Sequence, residues 1–314
     1  MLNNEEIALS VEKLTKRFGD FVAVNSVSIK ISTGQVYGIL GPNGAGKSTL
    51  IKMITGLLRA DAGTVSIFGK SLYSRSAVGL IGLCPQELVI WEGLTLLEQL
   101  LFIARMYNVP SDAAVKRALE LLDAMGLSNK KNKLASTLSG GMKRRLNILL
   151  ALMHDPRILL LDEPQAGLDP QSRILVREYI KSIARKKTVI ITTHDMEEAD
   201  KVIDRVAIID RGKIIVDDTP YLLKKTVFQG ELLEFTLSGS TVEDRGIFDS
   251  IKEECKSVSI SGNVLRLVSS TPSDMIKPVE AILNNLGIRI EDIKIRKGTL
   301  EDVFISLTGR GLRD

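Results

Sequence analysis

Apolar and polar residues alternate along the first part of the chain. Three segments with that two-residue period, IALSVEKL, VAVNSVSIKIS and QVYGIL, predict strands up to about residue 38, and TVSIFG predicts another strand. Two later segments, ILLLD and TVIITTH, are unbroken apolar runs with β-branched residues. Such runs are typical of parallel strands that are buried on both faces of a sheet.

Apolar residues at helical spacing separate these strands. Residues 48–58 follow QVYGIL, residues 95–126 read as helices interrupted at Pro110, and SRILVREYIKSIARK lies between ILLLD and TVIITTH. RVAIIDRGKIIVD predicts a hairpin that turns at Arg211-Gly212. Because strands alternate with helices, an α/β core is predicted for residues 1–225.

The pattern changes after residue 225. ELLEFTLS predicts a strand, VEDRGIFDSIKEE a helix, and SVSISGNVLRLVSS a hairpin that turns at Gly262-Asn263. SDMIKPVEAILNNLG predicts a helix capped by Ser273, IRIEDIKIRK a strand, and TLEDVFISLTGR a closing helix. The order β-α-β-β-α-β predicts a small α+β, ferredoxin-like domain over residues 226–314 with one additional helix.

Composition adds few constraints. The 314 residues carry a net charge of +4, which suits an anionic ligand or a membrane surface but does not indicate nucleic acid. The two cysteines, Cys84 and Cys255, are far apart and predict a reduced compartment without a disulfide framework. Neither a leader sequence nor an apolar run of membrane-spanning length is found, so we expect a cytosolic chain that meets a membrane through a partner.

The segment GPNGAGKST fits the pattern G-x-x-x-x-G-K-[ST] between a predicted strand and a predicted helix. Its glycines allow backbone N–H groups to point inward, and the helix that follows presents its positive end to phosphate. Lys47 can reach the β- and γ-phosphates, Ser48 can ligate Mg²⁺, and Thr49 is placed for the α-phosphate. The predicted phosphate-binding residues are Gly41, Pro42, Asn43, Gly44, Ala45, Gly46, Lys47, Ser48 and Thr49.

A Mg-nucleotide site also needs a carboxylate at the end of a neighbouring strand, and ILLLDEP supplies one. Asp162 ends the apolar run and is expected to hold Mg²⁺, as the aspartate of P-loop enzymes does. Glu163 follows it and could polarise the attacking water as a general base. Taken alone, Glu163 would more simply be a solvated carboxylate at a strand end.

These motifs together resemble those of the ATP-binding subunit of an ABC transporter. The LSGGQ signature of that family reads LSGGM at residues 138–142. Its companions are present in the family's order: Phe18 where an aromatic residue stacks on adenine, Gln86 in the Q-loop, Asp169 in the D-loop, and His194 as the switch histidine. The resemblance implies a P-loop NTPase fold with a helical subdomain at about residues 87–137.

In this family, two subunits face head to tail, which implies a homodimer with ATP in the interface. Ser139, Gly140 and Gly141 of one subunit would contact the γ-phosphate held by the other subunit. Asp169 would couple the two sites. The resemblance therefore adds these four residues and Phe18 to the ATP-binding set.

The same resemblance implies an ATPase mechanism. Glu163 would position water, His194 would contact the γ-phosphate, and Lys47 would spread the developing charge. Gln86 would sense the γ-phosphate and report to a membrane permease through residues 87–137. The implied catalytic residues are Lys47, Gln86, Glu163 and His194, and the implied Mg²⁺ ligands are Ser48, Gln86 and Asp162.

LSGGMKRRL and the terminal GTLEDVFISLTGRGLRD are similar to the daunorubicin/multidrug-resistance type of exporter ATPase. That likeness implies efflux of a drug-like or lipid-like molecule through a separately encoded permease, and an accessory or regulatory C-terminal domain that we expect to add dimer contacts. The alternative is a soluble ABC ATPase that acts on ribosomes or DNA. Those proteins typically carry two cores or coiled-coil insertions, which this sequence lacks, so we expect no nucleic-acid partner.

Three further interpretations rest on local pattern alone. The basic run Lys143-Arg144-Arg145 is expected to be a solvated helix face. His154 lies outside the motifs and is expected to be structural. Phe18 could belong to the core, although adenine stacking is favoured because aromatic faces suit bases.

Overall fold

The computed structural model describes residues 6–227, 230–238 and 257–308, and the chain divides into two compact units. The first unit ends at Thr219 and the second begins at Pro220. The predicted boundary is at residues 225/226, whereas the division into compact units falls earlier, because a helix that begins at Pro220 belongs to the second unit. The predicted helix VEDRGIFDSIKEE lies outside the described residues.

The first unit contains two sheets. Its strands are β1 (Ile7–Phe18), β2 (Phe21–Ser32), β3 (Val36–Leu40), β4 (Ala62–Ile67), β5 (Lys70–Ser71), β6 (Ile81–Cys84), β7 (Ile158–Asp162), β8 (Thr188–Thr193), β9 (Arg205–Asp210) and β10 (Lys213–Asp218). The six-stranded sheet has the order β10-β9-β3-β8-β7-β6, and only its β9–β10 hairpin is antiparallel. The antiparallel sheet has the order β2-β1-β4-β5.

Every residue of β3, β7 and β8 is buried, as their unbroken apolar sequences predict. The carboxyl ends of these three parallel strands meet at one edge of the sheet. Because the chain leaves each strand at that edge, the segments that follow Leu40, Asp162 and Thr193 are brought together there.

The helices of the first unit are α1 (Lys47–Ile54), α2 (Arg75–Val78), α3 (Leu96–Met106), α4 (Ser111–Ala124), α5 (Gly140–Leu152), α6 (Pro170–Ile183) and α7 (Met196–Asp200). A capping box between Thr95 and Glu98 begins α3, and Pro110 separates α3 from α4 as predicted. These two helices pack on each other and lie within the predicted helical subdomain.

The second unit is a four-stranded antiparallel sheet with helices. Its elements are α8 (Pro220–Val227), β11 (Glu231–Leu237), β12 (Ser257–Ser261), β13 (Val264–Ser269), α9 (Pro272–Asn285), β14 (Ile290–Arg296) and α10 (Leu300–Thr308), with sheet order β12-β13-β11-β14. Leu233, Phe235 and Leu267 pack with Val279 and Leu283 of α9 to form its core. The ferredoxin-like assignment stays a prediction, since its first helix is outside the described residues.

The predicted cap of α9 is wrong. Ser273 lies inside the first turn, and Thr271 occupies the N-cap position. Pro272 explains the shift, because proline lacks an N–H and its fixed φ suits the first position of a helix. The hairpin turn at Gly262-Asn263 is where the sequence places it, with Gly262 at φ +60°.

A charged cluster joins α10 to the sheet of the second unit. Arg296 forms two hydrogen bonds to the carboxylate of Asp302 at 2.5 and 2.9 Å and one to Glu234 at 2.8 Å. Arg266 also donates to Glu234, and the backbone N–H and hydroxyl of Thr299 donate to Asp302. Asp302 thus caps α10 while it pairs with Arg296.

Within the three described ranges, no helix is long and apolar enough to cross a bilayer.

Candidate active site

The loop between β3 and α1 has the backbone that its glycines predict. Gly44 and Gly46 have φ values of +79° and +104°, in the region that favours glycine. A Cβ at Gly46 would lie 2.4 Å from the carbonyl oxygen of Ala23, and one at Gly41 would lie 2.2 Å from that of Ile209. Gly46 is therefore required both to form the loop and to pack it, while Gly41 is required for packing.

Lys47 is the first residue of α1 and is only 6% exposed. Its Nζ donates to the carbonyl oxygens of Gly41 at 2.8 Å and Pro42 at 3.0 Å. Burial lowers the pKa of Lys47, while the negative charges of Glu163 and Asp162 act in the opposite direction. An ammonium group is thus held inside the loop whose N–H groups can bind an anion.

The other loop residues surround this lysine. Ser48 and Thr49 are partly buried in the first turn of α1, and Ala45 is buried. Pro42 is partly buried, whereas Asn43 and Gly44 are exposed at the tip of the loop. The hydroxyl groups of the first turn therefore lie at the positive end of the helix.

Glu163 follows β7 and is 5% exposed. Its Oε1 lies 2.9 Å from Nδ1 of His194 and 3.8 Å from Nζ of Lys47. Its backbone N–H donates to the carbonyl and hydroxyl oxygens of Thr192, at the carboxyl end of β8. The solvated carboxylate considered from sequence is thus excluded: Glu163 is buried beside two basic side chains.

Asp162 and His194 complete this edge of the sheet. Asp162 is buried and accepts a hydrogen bond from the hydroxyl of Thr192. The side chain of His194 is 54% exposed, so one face of the Glu163–His194 pair is open to solvent. The structure therefore brings Lys47, Asp162, Glu163 and His194 together from three parallel strands.

The donor set suits a magnesium ion. Ser48 offers a hydroxyl oxygen, Asp162 a carboxylate and Gln86 an amide oxygen, and Mg²⁺ prefers hard oxygen ligands. Gln86 follows β6, which lies beside β7, and its side chain is exposed. Phe18 ends β1 with 51% of its surface exposed, and the ammonium of Lys16 lies 5.6 Å from its ring centroid. An exposed ring of this kind is available for stacking and does not belong to the core.

The signature segment forms the start of α5. Ser139 is the N-cap, and its Oγ accepts a hydrogen bond from the backbone N–H of Met142 at 3.3 Å. A Cβ at Gly141 would lie 3.3 Å from Oδ2 of Asp169, whereas a Cβ at Gly140 would meet nothing within 4 Å. Packing within the chain thus explains a small residue at 141 but not at 140.

Asp169 caps α6, where its carboxylate accepts hydrogen bonds from the N–H and hydroxyl of Ser172 at 2.9 and 2.7 Å. These hydrogen bonds lower the pKa of Asp169. Among the described residues, no hydrogen bond or ion pair joins Ser139, Gly140 or Gly141 to the phosphate loop. One chain therefore places the signature against Asp169 and apart from Lys47.

The interpretation of Lys143-Arg144-Arg145 as a solvated face is wrong. Arg144 is 3% exposed and bonds only to backbone carbonyls, Arg145 donates to the carbonyl oxygen of Met125, and Lys143 pairs with Glu92 at 2.7 Å. The burial of Arg144 could have been predicted from helical spacing, because Arg144 lies four residues before the buried Ile148 on the same helix face.

His154 has the structural setting that we expected. Its Nε2 lies 2.9 Å from the carbonyl oxygen of Ile81, and its ring stacks on Tyr107 at a centroid distance of 3.8 Å. Beside it, a groove of about 540 Å³ runs past the segment that carries Gln86. Its lining is mostly apolar and includes Leu57, Pro85, Val89, Trp91, Ile103 and Tyr107.

Comparison with known proteins gives consistent matches. Residues 24–166 match the family described as ABC transporter. The chain is 39% identical to the Nod factor export ATP-binding protein I of Burkholderia lata over 98% of both chains. It is 36% identical to the linearmycin resistance ATP-binding protein LnrL of Bacillus subtilis over 98% of this chain and all of that protein.

Solved structures match about 70% of the chain. A structure described as the ATP-binding subunit of an ABC transporter aligns with a TM-score of 0.65 and 27% identity, covering 70% of this chain and 92% of the other. CbiO1 from Clostridium perfringens, described as part of the ABC transporter complex CbiONQ, aligns with a TM-score of 0.63 and 30% identity over 71% of this chain and 94% of its own.

Proposed function

The chain belongs to the family of ABC transporter ATP-binding subunits, which are ATPases, and we propose that it powers efflux through a separately encoded membrane permease. The names of its relatives refer to export of Nod factor and resistance to linearmycin, which favours a drug-like or lipid-like cargo. The observation that carries the catalytic part is the buried carboxylate of Glu163 between His194 and Lys47.

We infer a hydrolytic role for each member of this group. Glu163 accepts a proton from the attacking water, since it is buried at the sheet edge yet paired with the half-exposed His194. His194 orients the γ-phosphate and that water. Lys47 and the N-terminus of α1 hold the phosphates and offset the charge that develops on them. Ser48, Asp162 and Gln86 would hold Mg²⁺, which supplies further charge neutralisation when bound.

A homodimer is proposed because one chain does not join its signature to its own phosphate loop. Gly140 has open space where a Cβ would stand, so a phosphate bound to a second copy can approach its N–H group. Ser139 supplies a hydroxyl at the same helix N-terminus. Asp169, which lies against Gly141, then links the signature to the dimer interface. Phe18 stacks on the adenine.

The apolar groove is the proposed contact for the permease. It begins at Pro85, next to Gln86, and exposes Leu57, Val89 and Trp91, which favour an apolar segment of a partner over water. In this proposal the chain is bound peripherally at the cytoplasmic face of a membrane, as the exporter names of its relatives also favour. A movement of Gln86 can then be transmitted to the groove, because Pro85 and Val89, which line the groove, are close to Gln86 in sequence.

The test is the variant Glu163→Gln in the full chain. We expect ATP binding to be kept, turnover to fall about 100-fold or more, and an ATP-bound dimer to accumulate in light scattering, because the amide cannot accept the proton. Glu197→Gln, the same change at an exposed position of α7, is the matched control and should hydrolyse ATP normally. Wild-type turnover in Glu163→Gln would remove Glu163 from the mechanism.

Co-purification from membranes solubilised in mild detergent tests the transport role separately. A polytopic membrane protein at equal stoichiometry supports the permease partner. Ribosomal or DNA-bound proteins without a membrane partner would instead favour the alternative function, while leaving the ATPase chemistry in place.

A further inference from the structure

The guanidinium of Arg144 uses all five of its N–H groups on backbone carbonyl oxygens. Nη1 donates to Pro85 and Gln86, Nη2 to Asp162 and Glu163, and Nε to Pro164, at distances of 2.5–3.3 Å. The side chain is buried, so each N–H needs such a partner to offset the loss of water. The match between donors and acceptors fixes the position of every carbonyl involved.

These carbonyls belong to two separate segments of the site. Pro85 and Gln86 follow β6, while residues 162–164 follow the neighbouring parallel strand β7. Arg144 itself lies in the second turn of α5, the helix that Ser139 caps. One side chain therefore ties the signature helix to the segment of Gln86 and to the segment of Glu163.

Asn147 holds the remainder of the Gln86 segment from the next turn of the same helix. Its Nδ2 donates to Sγ of Cys84 and to the carbonyl oxygen of Glu87, and its Oδ1 accepts from the N–H of Val89 at 3.1 Å. Asn147 and Val89 both line the apolar groove. Asn147 thus attaches residues 84, 87 and 89 to α5.

We propose that Arg144 is a positioning residue for ATP hydrolysis, fixing the backbone of Gln86 relative to that of Glu163. The proposal rests on the proposed function, because it concerns the alignment of two residues assigned to hydrolysis there. Arg144 does not touch the nucleotide in this view. It sets the spacing between the groups that do, and so it affects the chemical step more than ATP binding.

Arginine is needed for this geometry. Its planar fork presents five donors in fixed directions, whereas lysine presents three donors on a flexible stem. Arg144→Lys keeps the charge and loses the fork. Arg144→Gln removes the buried charge and offers two amide N–H groups in place of five.

The experiment measures kcat, KM for ATP and the affinity for a fluorescent ATP analogue in both variants of the full chain, well below their melting temperatures. We expect kcat to fall about 10–100-fold, while KM and affinity change less than about threefold. The control is Arg117→Lys. Arg117 donates two hydrogen bonds to the carbonyl oxygen of Leu152 at the other end of α5, remote from the site. The kcat of the Arg117→Lys variant should therefore stay within about twofold of the wild-type value.

A wild-type kcat in either folded variant would overturn the proposal, and so would a loss of ATP affinity that equals the loss of kcat. Glu163→Gln is measured in parallel. If that variant keeps its turnover, the proposed site has failed; if it loses turnover while the folded Arg144 variants do not, only the role of Arg144 has failed. If one of the two Arg144 variants does not fold, the kinetics of the folded variant decide the outcome.

Discussion

Both units of this protein contain a cluster of charged side chains around a buried carboxylate, but they use it differently. In the second unit, the carboxylates of Asp302 and Glu234 accept hydrogen bonds from Arg296, Arg266 and Thr299 within the unit itself. In the first unit, Lys47 has only two carbonyl contacts, and its distance to Glu163 is 3.8 Å, too long for a hydrogen bond.

The difference shows which buried charges can serve a ligand. A cluster in which the hydrogen-bond donors and acceptors satisfy one another stabilises its own fold. A cluster with an unused donor or acceptor beside an exposed face can bind a ligand. His194, half exposed beside Glu163, provides that face in the first unit. Burial and charge alone do not separate the two cases, but the hydrogen-bond partners do.

The largest effect that the comparison predicts is at Lys47. Lys47→Ala should weaken binding of a fluorescent ATP analogue by about 100-fold, or about 2.8 kcal/mol, because the ammonium is the charge inside the phosphate loop. The melting temperature should change little, since the lysine costs burial energy of its own. Lys52→Ala, at an exposed position of the same helix, is the control and should bind normally. Equal affinity of the two variants for the ATP analogue would contradict the distinction between a ligand-binding charge cluster and a structural one.

The second prediction concerns the matched cluster. Arg296→Met should destabilise the second unit by about 2 kcal/mol, because the buried carboxylate of Asp302 and the partly buried one of Glu234 lose a shared donor. Hydrogen exchange of the full chain should then quicken in peptides from β11, β14 and α10, while ATP affinity stays unchanged. Lys294→Met is the control, since it changes an exposed residue of the same strand. Unaltered exchange in Arg296→Met would show that the cluster adds no stability.

The smallest effect is the dependence of the second unit on pH. Burial would raise the pKa of Asp302 and of Glu234, but the hydrogen bonds and charges of their partners together outweigh it, so the pKa of each carboxyl group is lowered. Arg296 acts on both groups, Thr299 on Asp302 and Arg266 on Glu234. A lowered pKa contributes stability that is present above the ordinary value of about 4 and is lost as the pH falls through the folded value. We expect hydrogen exchange in this unit, after correction for the intrinsic rate, to increase below about pH 4.

Arg296→Met should make this dependence shallower, because that guanidinium is the one partner that lowers the pKa of both carboxyl groups. A wild-type protein whose second unit is equally protected at pH 3 and pH 6 would exclude the mechanism.

Much of the first unit can be predicted from sequence, for a physical reason. β7 and β8 are apolar throughout, so their burial follows from composition, and the carboxyl ends of parallel strands meet at one edge. Residues that follow such strands, including Glu163 and His194, are therefore placed by the topology. The side-chain distances are not predictable in this way, since they depend on rotamers and on partners such as Thr192.

Arg144 shows where sequence reasoning fails. Three adjacent basic residues resemble a solvated helix face, and only the backbone carbonyls after β6 and β7 make burial of Arg144 favourable. Those acceptors are about 20 and 60 residues away along the chain, so the helical spacing of Arg144 can indicate its burial but not its partners. The helix start at Thr271 was missed for a simpler reason, since Pro272 competes with Ser273 for the first turn.

Glu163 is held at φ +50°, a left-handed backbone that costs a residue with a side chain about 1 kcal/mol and costs glycine almost nothing. The backbone conformation alone therefore favours glycine over glutamate at the position to which we assign the hydrolytic step. Stability and turnover make opposite demands at this single position. A selection for heat resistance alone is expected to enrich inactive variants there, and the glutamate persists only where the organism depends on the work that ATP drives.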